Sequence, residues 1–154
     1  MPLMMPLTLP LLPALIALLG CTSPPLTEGT YLLLLESQTN TCGRQDRDFG
    51  VGETSSVYMT WTTDTTLRME SGTVDVEYLY AGDYLFAGSA STSAEVNSRC
   101  TLVMEFSDEG TMLDPETFRL FELAEYSVEG PCSNIDVSEF PCEAQFEMIA
   151  FLDD

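Results

Sequence analysis

Carboxylates are the abundant reactive groups of this chain. Asp46-Arg47-Asp48-Phe49-Gly50 with Glu53 sets three carboxylates and a glycine in one stretch, and Asp108, Glu109, Asp114 and Glu116 form a second acidic cluster. Hard cations take oxygen ligands from loops of this kind, so Asp46, Asp48 and Glu53 are the calcium candidates. The pattern is incomplete: the third oxygen ligand of EF-hand spacing is missing, and Arg44 and Arg47 stand among the acids. Acidic loops are ordinarily just solvated, and the expectation is that no metal or other cofactor is bound.

Catalysis by a Ser, Thr or Cys needs a base beside the nucleophile. The 154-residue sequence has no His, and its 5 cations are Arg44, Arg47, Arg68, Arg99 and Arg119, so Lys is absent too. Carboxylate-only hydrolysis, as in glycosidases, stays formally open. Against it, the 1 tryptophan, Trp61, falls on an apolar strand face, and Asp75, Glu77, Glu105 and Glu147 fall at outward, solvated strand positions. The chain is therefore expected not to be an enzyme. A formal net charge of −20 repels phosphate, which excludes nucleic acid as a partner.

The elements that carry these residues read as strands. Period-two alternation recurs: Val57, Met59 and Trp61 share one face; Leu67 and Met69 follow; then Val74, Val76, Tyr78 and Tyr80, continuing through Tyr84 and Phe86. Cys100, Leu102, Met104 and Phe106 form another such face, and Ala144, Phe146, Met148 and Ala150 the last. Leu32 to Leu35 runs on without alternation and predicts a strand buried on both faces. Thr63-Asp64, Ser71-Gly72, Gly82-Asp83 and Asp108-Glu109-Gly110 supply the turns. Asp114-Pro115-Glu116 reads as a helix start that would put Thr117, Leu120, Phe121 and Ala124 on one face, but the pairs Phe118/Leu120 and Phe121/Leu123, among strands on either side, favour a strand from Thr117 to Glu129 whose phase changes at a bulge. The fold class is thus all-β, about eight antiparallel strands in a meander forming a small barrel or a β-sandwich.

Ahead of this lies a different kind of segment. Leu7 to Leu19 is apolar apart from Thr8 and is interrupted by Pro10 and Pro13, too short for a membrane span and suited to a secretory signal. It ends in Leu18-Leu19-Gly20-Cys21, which resembles the lipobox of bacterial lipoproteins. That resemblance implies cleavage before Cys21 and lipidation of Cys21, with a membrane as partner through the anchor. Thr22, in the place where Asp favours inner-membrane retention, implies the outer membrane. No Lys or Arg precedes the apolar run, a departure from the usual signal. The organisation expected is 1–20 signal peptide, 21–28 lipidated Cys and tether, and 29–154 the β domain. Gly29-Thr30-Tyr31 also resembles the Gly-x-Trp opening of lipocalin-like barrels, with Tyr31 where that family has Trp.

Export places Cys42, Cys100, Cys132 and Cys142 in an oxidising compartment, where four thiols predict two disulfides. No C-x2-C pair offers a metal site instead. Cys132 and Cys142 flank one loop and are the expected partners, which leaves Cys42 with Cys100. Two functions follow as expectations: a non-enzymatic structural or protein-interaction module of the envelope, docking on another envelope protein, or a binding protein for a small apolar ligand or calcium. A filled core favours the first and an internal cavity the second.

Overall fold

A computed structural model describes residues 26–42, 50–72, 74–133 and 139–153. Eight antiparallel strands follow one another: β1 (Gly29–Asn40), β2 (Thr54–Thr63), β3 (Thr66–Glu70), β4 (Asp75–Gly82), β5 (Leu85–Asn97), β6 (Cys100–Asp114), β7 (Thr117–Glu129) and β8 (Cys142–Leu152). Each pairs with its neighbour in sequence, and β1 pairs with β8. The meander therefore closes into a barrel. Closure pairs every strand on both sides, although β5 runs on from Ser89 to Asn97 past its last β4 partner, Gly88, and the alternation sorts side chains into one interior and one solvated face.

That single interior explains where the strands depart from expectation. Leu33 and Leu35 are buried, but Leu32 is 36% exposed, so the leucine run is covered on one side only. β6 does not turn at Asp108-Glu109-Gly110; it continues to Asp114, where Asp114 Oδ1 accepts the Glu116 amide at 2.8 Å across the Pro115-Glu116 turn. β7 is a strand as expected, but it has no bulge against β8: Thr117 to Tyr126 pairs with Phe151 to Cys142 without a break. Phe118, Leu120, Glu122, Ala124 and Tyr126 all face inwards as a result, and Phe121 is exposed. Tyr84 is not an interior residue either. It sits with Asp83 in the β4–β5 turn, both at positive φ, and is 43% exposed.

The barrel has two unlike ends. At one, Leu26 is buried beneath Trp61, whose Nε1 donates to the Leu26 carbonyl at 2.8 Å. The Glu28 carboxylate accepts the Trp61 amide at 2.7 Å, and the Thr27 amide donates to the Pro115 carbonyl at 2.6 Å. Leu26 to Glu28 thus packs onto the barrel as a cap and is not tether. At the other end lie both disulfides, Cys42–Cys142 and Cys100–Cys132, which corrects the expected pairing. Register decides the matter. Asn40 pairs with Ala144, so two residues on in each strand direction Cys42 meets Cys142. Thr101 pairs with Glu129, which brings Cys100 to the chain leaving β7. Nearness along a loop loses to nearness across a ladder.

Candidate functional site

The interior is filled from the capped end. Tyr31 meets Phe118 at a tilt of 54° (centroids 5.2 Å), Phe118 meets Phe86 edge-on (5.6 Å), and Phe86 meets Tyr78 edge-on (5.2 Å). Trp61 and Tyr80 form a further edge-to-face pair at 5.7 Å. Such pairs contribute beyond the area they bury, about 0.5–1.5 kcal/mol each. The Tyr31 hydroxyl donates to the Thr27 carbonyl at 2.7 Å, and burial together with Glu116 and Asp114 pushes its pKa up to about 12.

Two interior glycines make this packing possible. Gly110 faces Phe86 across β5–β6, and a Cβ there would overlap the Phe86 ring. Gly88 faces Tyr78, and a Cβ there would lie 2.5 Å from the Glu77 carbonyl and 2.8 Å from the Tyr78 ring. A single cross-strand row runs Tyr78, Gly88, Asp108, Glu122, Phe146 through β4 to β8. The missing side chain at Gly88 lets the Tyr78 hydroxyl pass over β5 and donate to Asp108 Oδ2 at 2.6 Å. Burial, then the Asp108 charge and this hydrogen bond, hold the Tyr78 pKa well above the usual phenol value.

Above that row the interior is open. A cavity of about 560 Å³ is lined by apolar side chains that include Leu33, Val57, Met69, Val76, Met104 and Phe106. Ser55, Ser71 and Thr92 add hydroxyls near the disulfide-bearing end. Asp108 and Glu122, only 2% and 7% exposed, also line it. They face each other directly across β6 and β7. The last β4–β5 pair on this side is Tyr78 with Gly88. Beyond it the cavity wall is made by Val74 and Val76 on one side and Thr92 to Ala94 on the other.

The acidic residues of the sequence fare differently. Asp46 and Asp48 lie outside the described residues, as do Arg44 and Arg47. Glu53 is in place, but its carboxylate accepts the Gly50 amide at 2.8 Å. The second cluster is split by strand alternation: Asp108 points in, Glu109 points out, and Asp114 caps a turn. Among the described residues no group of three or more His, Cys, Asp or Glu side chains is placed to hold a metal ion. Asp75, Glu77, Glu105 and Glu147 are exposed as expected, while Asp108 and Glu122 break the expectation that carboxylates keep to loops and outer faces. Sequence reasoning missed both. The available signal was Gly88, since a glycine within a strand marks a close approach by another group. Cys21 and the Leu18-Leu19-Gly20-Cys21 motif lie outside the described residues.

No protein-family model matches the chain, and no curated protein is significantly similar to it. Among solved structures, EF1p2_mFAP2b bound to DFHBI aligns over 81% of this chain and 92% of its own, with 12% identity and a TM-score of 0.35. A likeness of that size carries no argument about this barrel or its contents.

Proposed function

We propose that the chain is a membrane-anchored envelope lipoprotein whose barrel binds a small, largely apolar molecule and catalyses nothing. The observation that carries the binding reading is the cavity of about 560 Å³ in one half of the barrel. Small-molecule sites span roughly 300–1,000 Å³, mostly apolar with a few convergent polar groups. Eight-stranded barrels either fill their interiors or hold one small ligand, and this one leaves space. A neutral fluorescent apolar probe tests the reading: one molecule should bind per barrel, and Thr92→Phe, which fills the cavity wall, should weaken it at least about tenfold. Equal binding by the variant would put the probe elsewhere.

The non-enzymatic part rests on the absent His and Lys and on four thiols held in disulfides. It no longer draws support from the placement of acids, because Asp108 and Glu122 face one another inside a cavity. Carboxylate-only hydrolysis is the reaction such a pair could support. Hydrolysis of a polysaccharide that disappears in Asp108→Asn would overturn this part of the reading.

The anchor rests on Leu18-Leu19-Gly20-Cys21. Mature protein should partition into detergent, and Cys21→Ala should release it, because two or more acyl chains anchor stably where one does not. At about 3.3–3.6 Å per residue, the chain from Cys21 to Leu26 reaches at most roughly 18 Å. Leu26 caps the filled end, so the anchored barrel turns its cavity end away from the bilayer.

A second reading, docking on another envelope protein, has its own observation. Leu32 faces Phe151 and Leu34 faces Ile149 on the outside of β1 and β8, with Leu32 and Phe151 well exposed. Contiguous outward apolar groups are where a soluble protein is contacted. Cross-linking in intact cells tests it: a captured envelope protein lost in Leu32→Ser/Phe151→Ser favours docking, and capture unaffected by the pair counts against this face.

A further inference from the structure

We infer that β5 is the docking edge for an extended polypeptide, which adds to the sheet as a strand, turns apolar side chains into the cavity and carries basic side chains outwards. This goes beyond the small-molecule reading and shares only the cavity with it.

The barrel wall is not paired along its whole height. β4 and β5 pair from Gly82/Leu85 to Tyr78/Gly88 and no further. Beyond that point, among the described residues, Asp75, Val76 and Glu77 pair with β3 alone, and Ser89 to Asn97 with β6 alone. The cavity reaches this gap, lined by Val74 and Val76 on one lip and by Thr92, Ser93 and Ala94 on the other. A strand aims its N–H and C=O groups alternately to its two sides, so the β4 side of Ser89–Asn97 is a row of donors and acceptors without a ladder partner. Another backbone in extended form matches such a row at its own spacing.

Composition leaves this edge open. Natural sheets blunt an edge with lysine, proline or a bulge. Ser89-Ala90-Ser91-Thr92-Ser93-Ala94-Glu95-Val96-Asn97 has no Lys, Arg or Pro, and its one charge is Glu95. The break in register against β6 falls only at Glu95/Asn97, at the far end. The side chains are small, and Ser93 to Val96 are exposed, so an incoming strand meets no bulky group.

Alternation then sets the partner's pattern. One row of its side chains faces the cavity beside Val76, Met104 and Phe106, and the other faces water. On that outer face Glu77, Glu95 and Glu105 are exposed, whereas Arg68 is engaged by Asp75 and Glu70 and Arg99 lies beyond the edge in the β5–β6 turn. Outward basic residues are the complement, and the net charge of −20 steers such a chain towards the barrel.

The test adds a blocked peptide of alternating lysine and valine, about nine residues long to match Ser89–Asn97, to the nitrogen-15-labelled full chain at physiological salt. Amide hydrogen exchange is read residue by residue. In the free protein the Ser89–Asn97 amides aimed towards β4 should exchange at least about tenfold faster than those aimed at β6, and the peptide should slow them at least about tenfold. Amides of Thr117–Tyr126, paired on both sides, should not change. Two N-methylated peptides, one modified at every valine and one at every lysine, keep the charge and lose the donors on one side of the strand. At least one of them should bind at least about tenfold more weakly than the parent peptide. A glutamate–valine peptide should bind more weakly by a similar factor. Binding without new protection in Ser89–Asn97, or equal binding by the parent and both methylated peptides, would overturn strand addition. A glutamate peptide that binds as tightly would overturn the basic partner. No binding of the lysine peptide would overturn the inference as a whole and leave the small-molecule reading to its own probe.

Discussion

The two halves of the barrel interior are built to different rules. Towards the capped end, Tyr31, Phe118, Phe86 and Tyr78 form a continuous chain of rings, with Trp61 and Leu26 closing the end above them. Towards the disulfide-bearing end, the inward positions of several strands are small: Ala90, Thr92 and Ala94 on β5, Ala124 on β7, Ala144 on β8. The perimeter does not shrink to match, so the volume that bulky residues would occupy becomes cavity. One half is held together by packing. The other is held by covalent bonds, with Cys42–Cys142 locking the seam between the first and last strands. A cavity removes the contacts that would otherwise stabilise its walls, and disulfides are an alternative source of stability there.

Breaking each half by its own means gives the largest expected effects. Replacing Cys42 and Cys142 by alanine should destabilise by about 4.7 kcal/mol, against about 3.7 for the Cys100–Cys132 bridge, because the loops span 100 and 32 residues and chain entropy scales with loop length. Urea unfolding of the two double variants checks the order. Phe118→Ala should cost about 3–5 kcal/mol in the same assay, the usual range for a buried ring next to other rings. Met104→Ala, on the cavity wall, should cost distinctly less than the roughly 2–5 kcal/mol of a filled core, because Met104 already borders empty space. If the two truncations cost the same, the contrast between the halves is wrong.

Most of the strand pattern was legible from alternation alone, since Val57/Met59/Trp61, Leu67/Met69 and Phe146/Met148 all point inwards as read. The barrel's first surprise, Glu122, was hidden by the apolar pair Phe121 and Leu123. Hydrophobicity pulled the reading of β7 out of phase, and only the unbroken pairing with β8 restores it. Asp108 was hidden by its neighbours, because Asp-Glu-Gly looks like a turn until β5 is known to run alongside it as far as Leu85. The disulfide pairing is a property of register and closure, which no spacing of four cysteines encodes. The cavity is a volume, and volumes follow from three-dimensional closure even when every lining residue is apolar.

A smaller effect sharpens the capped end. Tyr31 holds its proton to about pH 12 in the folded protein, against about 10 when unfolded. The folded state therefore binds more protons between these values, and stability should fall as pH rises from about 10 to 12. Tyr78, also pushed upwards, acts with the same sign. Urea midpoints measured at about pH 9 and pH 11 should differ less in Tyr31→Phe than in the parent protein.

A ligand site in this barrel requires that the empty half, and not the filled half, take up a molecule. Methionine methyl groups report on both: Met69, Met104 and Met148 line the cavity, whereas Met59 and Met112 are buried without lining it. With carbon-13 methyl labels, titration of a neutral apolar ligand such as dodecanol should shift the resonances of Met69, Met104 and Met148 saturably and leave those of Met59 and Met112 in place. Shifts spread over all five methyls, or absent from the cavity three, would contradict a ligand site in this barrel.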